Sequence, residues 1–318
     1  MNLNSFATNG EHRKLHGIIA PMITPFKGRG MSEIDHEAFG RLTDYLIENG
    51  INAVMVNGTS GEFLMQSDEE RKAALRTVVR AAKRRVPVIA GVSESSTDRA
   101  VDLAIAAEDD GADAVLATGP IYYKTSDDGL LRHYSSILKE VNLPLMIYNI
   151  PSWIGFNIPA FLVKKLEDRN PGRIYGVKFT TNDLEMFLEY LRILKGRVPV
   201  TIGADAFILS ALQLGASGAT VGCANVIPEE TCQIYRLFVE KKYEKAMEAQ
   251  EKIDGFAQAM GIGTFPASLK EGLRFLGLDC GLPRPPLLPL DPNQARAVRE
   301  SLSWKKKEMK KKITRKYP

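Results

Sequence analysis

Lys178 is the residue in this sequence that is best suited to covalent chemistry. It follows the apolar run Ile174-Tyr175-Gly176-Val177 and precedes Phe179, so its amine is expected near the end of a buried strand. Apolar surroundings favour a neutral amine, which attacks a carbonyl carbon to form a Schiff base. A lysine at a strand end usually extends its ammonium into water, so Lys178 alone does not define a site.

Three further positions offer the other groups that a Schiff-base enzyme needs. Tyr148 ends an apolar run with a phenol that can move a proton, and Tyr122 follows another run. Thr59 and Ser60 lie between glycines, in a turn whose amides and hydroxyls can hold a carboxylate. Each feature alone is typical of a packed tyrosine or a tight turn. Together with Lys178, they predict an enzyme that acts on a 2-keto acid.

A metal-dependent reaction is not expected from the histidines. They stand at positions 12, 16, 36 and 133 and do not gather at the ends of the apolar runs. The pair His12 and His16 precedes the first run. We therefore predict neither a metal nor another cofactor, because a protonated imine can itself accept the electron pair of the breaking bond.

The elements that position these residues alternate regularly along the chain. Eight apolar runs without strict alternation predict strands that are buried on both faces: 17–23, 51–56, 86–91, 112–118, 143–148, 174–179, 198–203 and 218–222. Segments with helical spacing separate them, and Ser67, Thr97 and Ser126 are predicted to cap three of these helices. Eight β-α units predict a (β/α)8 TIM barrel, with a doubly wound open sheet as the alternative. The open sheet is disfavoured because no Gly-rich phosphate turn follows an early strand.

Beyond the eighth unit the pattern becomes purely helical. We predict a barrel over residues 1–241, including an N-terminal arm over 1–15, a small C-terminal helical extension over 242–304 and a basic tail over 305–318. The tail carries a charge of +7, so the body carries −3 although the whole chain carries +4. A nucleic-acid partner is not expected, because the positive charge lies in a tail and not on the folded body. The tail is expected to be solvated.

The cellular setting follows from three features. The chain has three cysteines without a CxxC pair, which indicates a reducing compartment. Its N-terminus has no apolar segment typical of a signal peptide. No apolar stretch is long enough to span a bilayer. We therefore expect a cytoplasmic protein without a membrane partner.

Five short motifs in order give the chain a family resemblance over about residues 15–300. They are GTSGE at 58–62, PIYY at 120–123, YNIP at 148–151, GVK at 176–178 and G-x-D at 203–205. The chain resembles the N-acetylneuraminate lyase and dihydrodipicolinate synthase superfamily of class I, pyruvate-dependent aldolases. The resemblance implies a TIM barrel whose site lies at the C-terminal ends of the strands.

The resemblance also implies a role for each matching residue. Lys178 would form the imine with the keto carbon, and Tyr148 would carry the proton. Thr59 and Ser60 would hold the carboxylate of pyruvate, and Thr59 would link Tyr148 to Tyr122. Four further positions would face the substrate: Thr180, Gly203, Asp205 and Cys223.

The resemblance further implies an oligomer. In the dihydrodipicolinate synthases, the counterpart of Tyr122 reaches into the site of the neighbouring subunit. A homodimer or a homotetramer is therefore expected.

Two departures from the family pattern bear on the substrate. Dihydrodipicolinate synthases have an arginine where this chain has Trp153, and a tryptophan cannot replace its paired hydrogen bonds to a carboxylate. Sialate lyases have a glutamate where Ala206 follows Asp205. These departures favour a 2-keto-3-deoxy sugar acid aldolase, as for 2-keto-3-deoxygluconate. The alternatives on the same scaffold are a sugar acid dehydratase, N-acetylneuraminate lyase and 4-hydroxy-tetrahydrodipicolinate synthase. The alternative of another class is a non-catalytic barrel that binds an anionic partner through the lysine tail.

Overall fold

A computed structural model describes the backbone of residues 15–316 and the side chains up to Met309. Nearly all of the predicted N-terminal arm therefore lies outside the described residues. Eight parallel strands close into a barrel, each hydrogen-bonded to its neighbour in sequence and β1 to β8. They are β1 Gly17–Pro21, β2 Ala53–Val56, β3 Val88–Gly91, β4 Ala114–Ala117, β5 Leu145–Asn149, β6 Ile174–Phe179, β7 Val200–Ile202 and β8 Gly218–Thr220. The predicted TIM barrel is confirmed.

The strands lack strict alternation because they are buried on both faces. One cluster of side chains fills the barrel interior, including Ile19, Met55, Leu116 and Met146. A larger cluster, to which Ile18 belongs, joins the outer strand faces to the surrounding helices. Neighbouring residues such as Ile18 and Ile19 therefore point into different cores, and both must be apolar.

Helices surround the barrel and follow each strand. They are α1 His36–Glu48, α2 Asp68–Ala82, α3 Thr97–Asp109, α4 Asp127–Glu140, the short α5 Pro151–Ile154, α6 Ala160–Arg169, α7 Leu184–Leu194, α8 Ile208–Leu214 and α9 Pro228–Val239. Ser67 and Ser126 cap α2 and α4 as predicted. The predicted cap Thr97 is wrong, because the side chain of Ser96 accepts the hydrogen bond from the amide of Arg99 and Thr97 is already helical.

The C-terminal extension consists of four helices, α10 Tyr243–Ala259, α11 Ala267–Leu276, α12 Pro292–Ser301 and α13 Ser303–Lys316. The connection between α10 and α11 crosses the mouth of the barrel, where Gly261, Gly263 and Phe265 line a cavity. The extension is therefore part of the wall around the strand ends.

A small antiparallel hairpin follows β1 and pairs Phe26–Lys27 with Glu33–Ile34. It was not predicted from the sequence.

The first residues of the basic tail are packed against the body, which corrects the prediction of a solvated tail from Lys305 onward. Lys305 is buried, and its Nζ lies 2.5 Å from Glu230 and 3.2 Å from Glu229 at the start of α9. Glu308 pairs with Lys252 of α10 at 3.0 Å. Sequence composition missed this docking because it depends on oppositely charged partners more than fifty residues away.

No helix within residues 15–316 is long and apolar enough to cross a membrane.

Candidate active site

A cavity of about 240 Å³ lies at the C-terminal ends of the strands. Its walls come from the ends of five strands, the loop after β2 and the connection between α10 and α11. The lining residues are Pro21, Thr59, Ser60, Tyr148, Ile150, Trp153, Lys178, Thr180, Gly203, Asp205, Thr220, Gly222, Met260, Gly261, Gly263 and Phe265. The structure thus brings together eight of the ten residues that the sequence singled out.

Lys178 and Tyr148 face each other on adjacent strands. They are paired in the register of β5 and β6, and Lys178 Nζ lies 4.1 Å from the centre of the tyrosine ring. The register shifts by one residue between Leu145 and Met146, and this irregularity brings Tyr148 opposite Lys178. The side chain of Lys178 is 4% exposed, so its amine is sheltered within the cavity.

The loop after β2 meets this pair from the opposite wall. Thr59 Oγ1 and Tyr148 Oη share a hydrogen bond of 3.2 Å. Thr59 to Gly61 form a single 3₁₀ turn, and Ser60 is buried at the cavity wall. Thr59 and Ser60 line the same cavity as Lys178, and the amides and hydroxyls of such a turn can hold an anion.

Asp205 is the acidic residue of the cavity. Its carboxylate accepts hydrogen bonds from the backbone amides of Gly222 at 3.3 Å and Cys223 at 2.7 Å. Burial raises the pKa of this carboxyl, while these amides and the charge of Lys178 act in the opposite direction. Asp205 therefore fixes the loop after β8 and still presents lone pairs toward the cavity.

Thr180 and Gly203 form one side of the cavity as a fitted pair. A Cβ atom on Gly203 would lie 2.0 Å from Thr180 Oγ1, so no larger residue fits at position 203 beside this threonine. The hydroxyl oxygen of Thr180 is buried and has no protein hydrogen-bond partner. A buried hydroxyl without a partner is costly, and a bound substrate that hydrogen-bonds to it would remove that cost.

Two of the predicted residues are not brought to the cavity within one chain. Cys223 is fully buried, and its thiol lies 3.9 Å from the sulfur of Met260, so the structure does not place it facing a substrate. Tyr122 is 85% exposed, has a left-handed φ of 77°, and packs edge-on against Tyr123. The hydroxyl of Thr59 is hydrogen-bonded to Tyr148 and not to Tyr122 within the chain, so the link from Thr59 to Tyr122 stays a prediction.

Trp153 lies at the rim of the cavity. It is 62% exposed and packs edge-to-face against Phe265, with their ring centres 6.1 Å apart. It also borders a second cavity of about 420 Å³, whose lining includes Phe63, Met65 and Ile154. Trp153 therefore borders both cavities.

Several lining residues were missed by the sequence analysis. Met260, Gly261, Gly263 and Phe265 belong to the C-terminal extension, which carries no chemical motif. Their position at the mouth depends on how α10 and α11 pack against the barrel, and no local sequence motif predicts that packing. Thr220 could have been found, because it is the polar residue within the eighth apolar run, 218–222.

From Leu15 onward, the described part of the chain contains no group of three or more His, Cys, Asp or Glu side chains arranged to hold a metal ion. His12 lies outside the described residues. The expected absence of a cofactor stays a prediction.

Comparisons with known proteins agree with this geometry. Residues 14–305 match the Dihydrodipicolinate synthetase family. The chain belongs to this family. It is accordingly an enzyme of the pyruvate-dependent carbon–carbon lyase class, on the TIM barrel that the family shares.

Individual relatives match over most of their length. The chain is 34% identical over 286 residues to the 4-hydroxy-tetrahydrodipicolinate synthase of Archaeoglobus fulgidus, covering 90% of this chain and 96% of the relative. The structure of the 4-hydroxy-tetrahydrodipicolinate synthase from Methylacidiphilum fumariolicum SolV superposes with a TM-score of 0.87 at 31% identity, covering 95% and 99% of the two chains. YagE from E. coli K12, a family member solved in complex with pyruvate, superposes with a TM-score of 0.87 at 28% identity, covering 91% and 98%.

Proposed function

We propose that this enzyme binds pyruvate as a Schiff base on Lys178 and makes or breaks the bond between C3 of pyruvate and the carbonyl carbon of a neutral aldehyde. The observation that carries the proposal is the pair of contacts that Tyr148 makes. Lys178 Nζ faces its ring at 4.1 Å, and Thr59 shares a hydrogen bond with its hydroxyl at 3.2 Å. An amine, a phenol and a hydroxyl in contact inside one cavity are the groups that this chemistry uses.

The reaction can be written on these residues for the direction of cleavage. The neutral amine of Lys178 attacks C2 of the keto acid, and loss of water leaves a protonated imine. Tyr148 takes the proton of the C4 hydroxyl, the C3–C4 bond breaks, and its electron pair moves toward the imine to give an enamine and an aldehyde. Protonation of C3 and hydrolysis of the imine then release pyruvate and restore Lys178.

The carboxylate of pyruvate is assigned to the turn of Thr59 and Ser60. Both residues line the cavity and belong to one 3₁₀ turn, and the amides and hydroxyls of such a turn are groups that can hold a carboxylate. The keto carbon would then lie between this turn and Lys178. The hydrogen bond between Thr59 and Tyr148 orients the phenol toward C4.

The walls of the cavity favour a neutral partner aldehyde. Lys178 is the one Lys or Arg side chain among the described residues that line either this cavity or the adjoining one. The carboxylate of an aldehyde substrate would have no second lysine or arginine to pair with, because Trp153 stands where the dihydrodipicolinate synthases have arginine. Thr180 and Asp205 instead offer hydrogen bonds to hydroxyl groups. A 2-keto-3-deoxy sugar acid is therefore the first candidate substrate.

A second candidate function rests on the names of the relatives. The Archaeoglobus and Methanocaldococcus relatives are both named 4-hydroxy-tetrahydrodipicolinate synthase and are 34% identical to this chain. Such a synthase condenses pyruvate with aspartate semialdehyde.

A sugar acid dehydratase would need the same Lys178 and Tyr148. Assays must therefore identify both the aldehyde that the enzyme accepts and the product that it forms.

The experiment that tests the proposal is trapping with borohydride. The purified enzyme is incubated with pyruvate and reduced, and the adduct is located by mass spectrometry of peptides. We expect reduced pyruvate on Lys178 in the wild type and none in Lys178→Met, a variant of similar size that should fold normally. An adduct on another lysine, or no adduct at saturating pyruvate, would reject the assignment. Retro-aldol assays on 2-keto-3-deoxy sugar acids, run beside condensation assays with aspartate semialdehyde, then decide the acceptor.

A further inference from the structure

A buried ion network joins the C-terminal extension to the loop that carries Thr59 and Ser60. Glu62, the last residue of the GTSGE motif, has a left-handed backbone with φ 57° and is buried. Its Oε1 lies 2.7 Å from Nζ of Lys270 on α11, and both side chains are at most 1% exposed. Its Oε2 accepts a hydrogen bond of 2.7 Å from the backbone amide of Arg284.

Arg284 uses its whole guanidinium to hold neighbouring segments together. Its five N–H groups donate at 2.5 to 3.0 Å to the backbone carbonyls of Met31, Ser32 and Met65 and to both carboxylate oxygens of Glu70. Since a guanidinium has five donors, none is left over. The hydrogen bond from Arg284 is also the main cause that lowers the pKa of Glu70. Arg284 therefore fixes both the end of the Thr59 loop and the start of α2.

The hairpin after β1 provides the packing surface between the two cations. The ring of Phe26 is buried, with Lys270 Nζ 4.3 Å from its centre and Arg284 Cζ at the same distance. Lys270 also donates a hydrogen bond of 2.9 Å to the carbonyl of Leu282. Burial of two cations is unfavourable unless each is paired, so this arrangement stabilises one geometry of the loop and disfavours others.

We infer that Glu62, Lys270 and Arg284 are positioning residues that hold the Thr59–Ser60 turn against the reacting end of the cavity. The inference rests on the proposed function of that turn as the carboxylate site. Glu62 N donates to Thr59 O at 3.1 Å, so displacement of Glu62 moves Thr59 directly. The C-terminal extension thereby contributes to pyruvate binding through residues that never touch pyruvate.

Variants that remove one charge and keep the size of the side chain test the network. Lys270→Met leaves the carboxylate of Glu62 buried without its cation, and Glu62→Gln removes the anion. We expect each to raise the pyruvate concentration for half-maximal trapping about tenfold or more, because small displacements of a positioning group have large effects on binding. The double variant should lie closer to the wild type than Lys270→Met does, because it leaves no unpaired carboxylate.

The matched control is Lys305→Met, which breaks another buried ion pair far from the loop. Lys305 Nζ pairs with Glu230 at 2.5 Å on the outer helices. Its loss should lower thermal stability and leave the pyruvate dependence of trapping unchanged. Hydrogen exchange of the peptide spanning 58–66 provides a readout that needs no activity, and it should accelerate in Lys270→Met but not in Lys305→Met. If Lys270→Met fails to fold, Arg284→Lys replaces it in the trapping and hydrogen-exchange measurements. That variant keeps the positive charge but loses some of the hydrogen bonds that the guanidinium donates.

The outcomes separate this inference from the proposed function. A wild type that takes no pyruvate adduct rejects the proposed function, while hydrogen exchange still decides whether the network holds the turn. Unchanged exchange and unchanged trapping in Lys270→Met, or equal changes in Lys305→Met, would overturn the inference.

Discussion

Trp153 is the residue at which the chain departs most clearly from the synthases that it resembles. Its ring packs against Phe265 at the rim shared by the two cavities. A tryptophan offers an apolar face and a single N–H donor, whereas an arginine offers a pair of charged donors to a carboxylate. The acceptor specificity of this enzyme should therefore be sensitive to this one position.

We predict that Trp153→Arg narrows the preference for neutral aldehydes over aspartate semialdehyde. Charge-assisted hydrogen bonds contribute about 1.5 to 3 kcal/mol, so kcat/KM for the semialdehyde should rise roughly tenfold or more relative to glyceraldehyde. Trp153→Gln is the control, since it opens the same space without a charge. The measurement is the ratio of kcat/KM for the two aldehydes at saturating pyruvate. A wild type that condenses pyruvate with the semialdehyde faster than with every neutral aldehyde would contradict this prediction.

The sequence predicts which residues lie at the strand ends. It does not predict side-chain directions that are set by contacts with residues distant in sequence. Lys178 and Tyr148 could be placed at one mouth because parallel strands bring their carboxyl ends together. Cys223 also follows a strand, yet it is fully buried beneath the lining residue Met260 and does not itself line the cavity. The direction of a side chain after a strand ends is set by the loop, here by the amides that bind Asp205.

At the scale of the elements, α3 and α4 are joined by a buried histidine. His133 Nδ1 lies 3.0 Å from Thr97 Oγ1, and His133 is almost completely buried. Burial lowers the pKa of His133 from 6.5 to about 4. The folded protein thus keeps this imidazole neutral over a pH range in which the unfolded chain protonates it.

We predict that this histidine makes the fold less stable in acid. Above pH 6.5 both states carry neutral His133 and the effect is absent. Between pH 6.5 and about 4 the unfolded chain binds the proton first, so the free energy of unfolding decreases by up to about 3 kcal/mol. The measurement is urea unfolding of wild type and His133→Gln from pH 7.5 to 4.5. Parallel pH dependences of the two proteins would show that His133 does not contribute.

The elements of the barrel were easier to predict than those of the extension. Every strand carries its own signal, because burial on both faces requires a continuous apolar run. The helices of the extension were also predicted, but the sequence between α10 and α11 contains no motif that predicts its position in the wall of the cavity. Its position follows from long-range pairs such as Glu62 with Lys270, which are separated by more than two hundred residues.

At the scale of the whole molecule, the basic C-terminus contributes to stability through its first turns. Lys305 pairs with Glu230, Glu308 pairs with Lys252, and Lys252 Nζ lies 4.5 Å from the ring centre of Trp304. None of these residues lines the cavity at the strand ends. Removal of this segment should therefore affect stability more than catalysis.

We predict that truncation after Ser303 lowers the free energy of unfolding by about 3 kcal/mol, since the loss of Lys305 leaves the buried carboxylate of Glu230 without its cation. The value of kcat/KM, measured below the unfolding transition, should stay within about tenfold of the wild type. Denaturant unfolding and steady-state kinetics on the same preparation check both parts. A larger loss of kcat/KM at full folding would show that the segment reaches the site or supports the oligomer.

The last prediction concerns the assembly that completes the site. Tyr122 is exposed at the surface in a left-handed backbone conformation, and the hydroxyl of Thr59 is hydrogen-bonded to Tyr148 instead. If it acts in the site of a neighbouring subunit, Tyr122→Phe and Lys178→Ala should each be nearly inactive as pure proteins. Mixed subunits should recover activity, because a Tyr122→Phe subunit keeps its own Lys178 and receives Tyr122 from a Lys178→Ala partner. Random dimers would restore roughly a quarter of the wild-type sites, measured after dissociation, mixing and reassembly. No recovery on mixing, with exchange of subunits shown by mass spectrometry, would place the function of Tyr122 within its own chain.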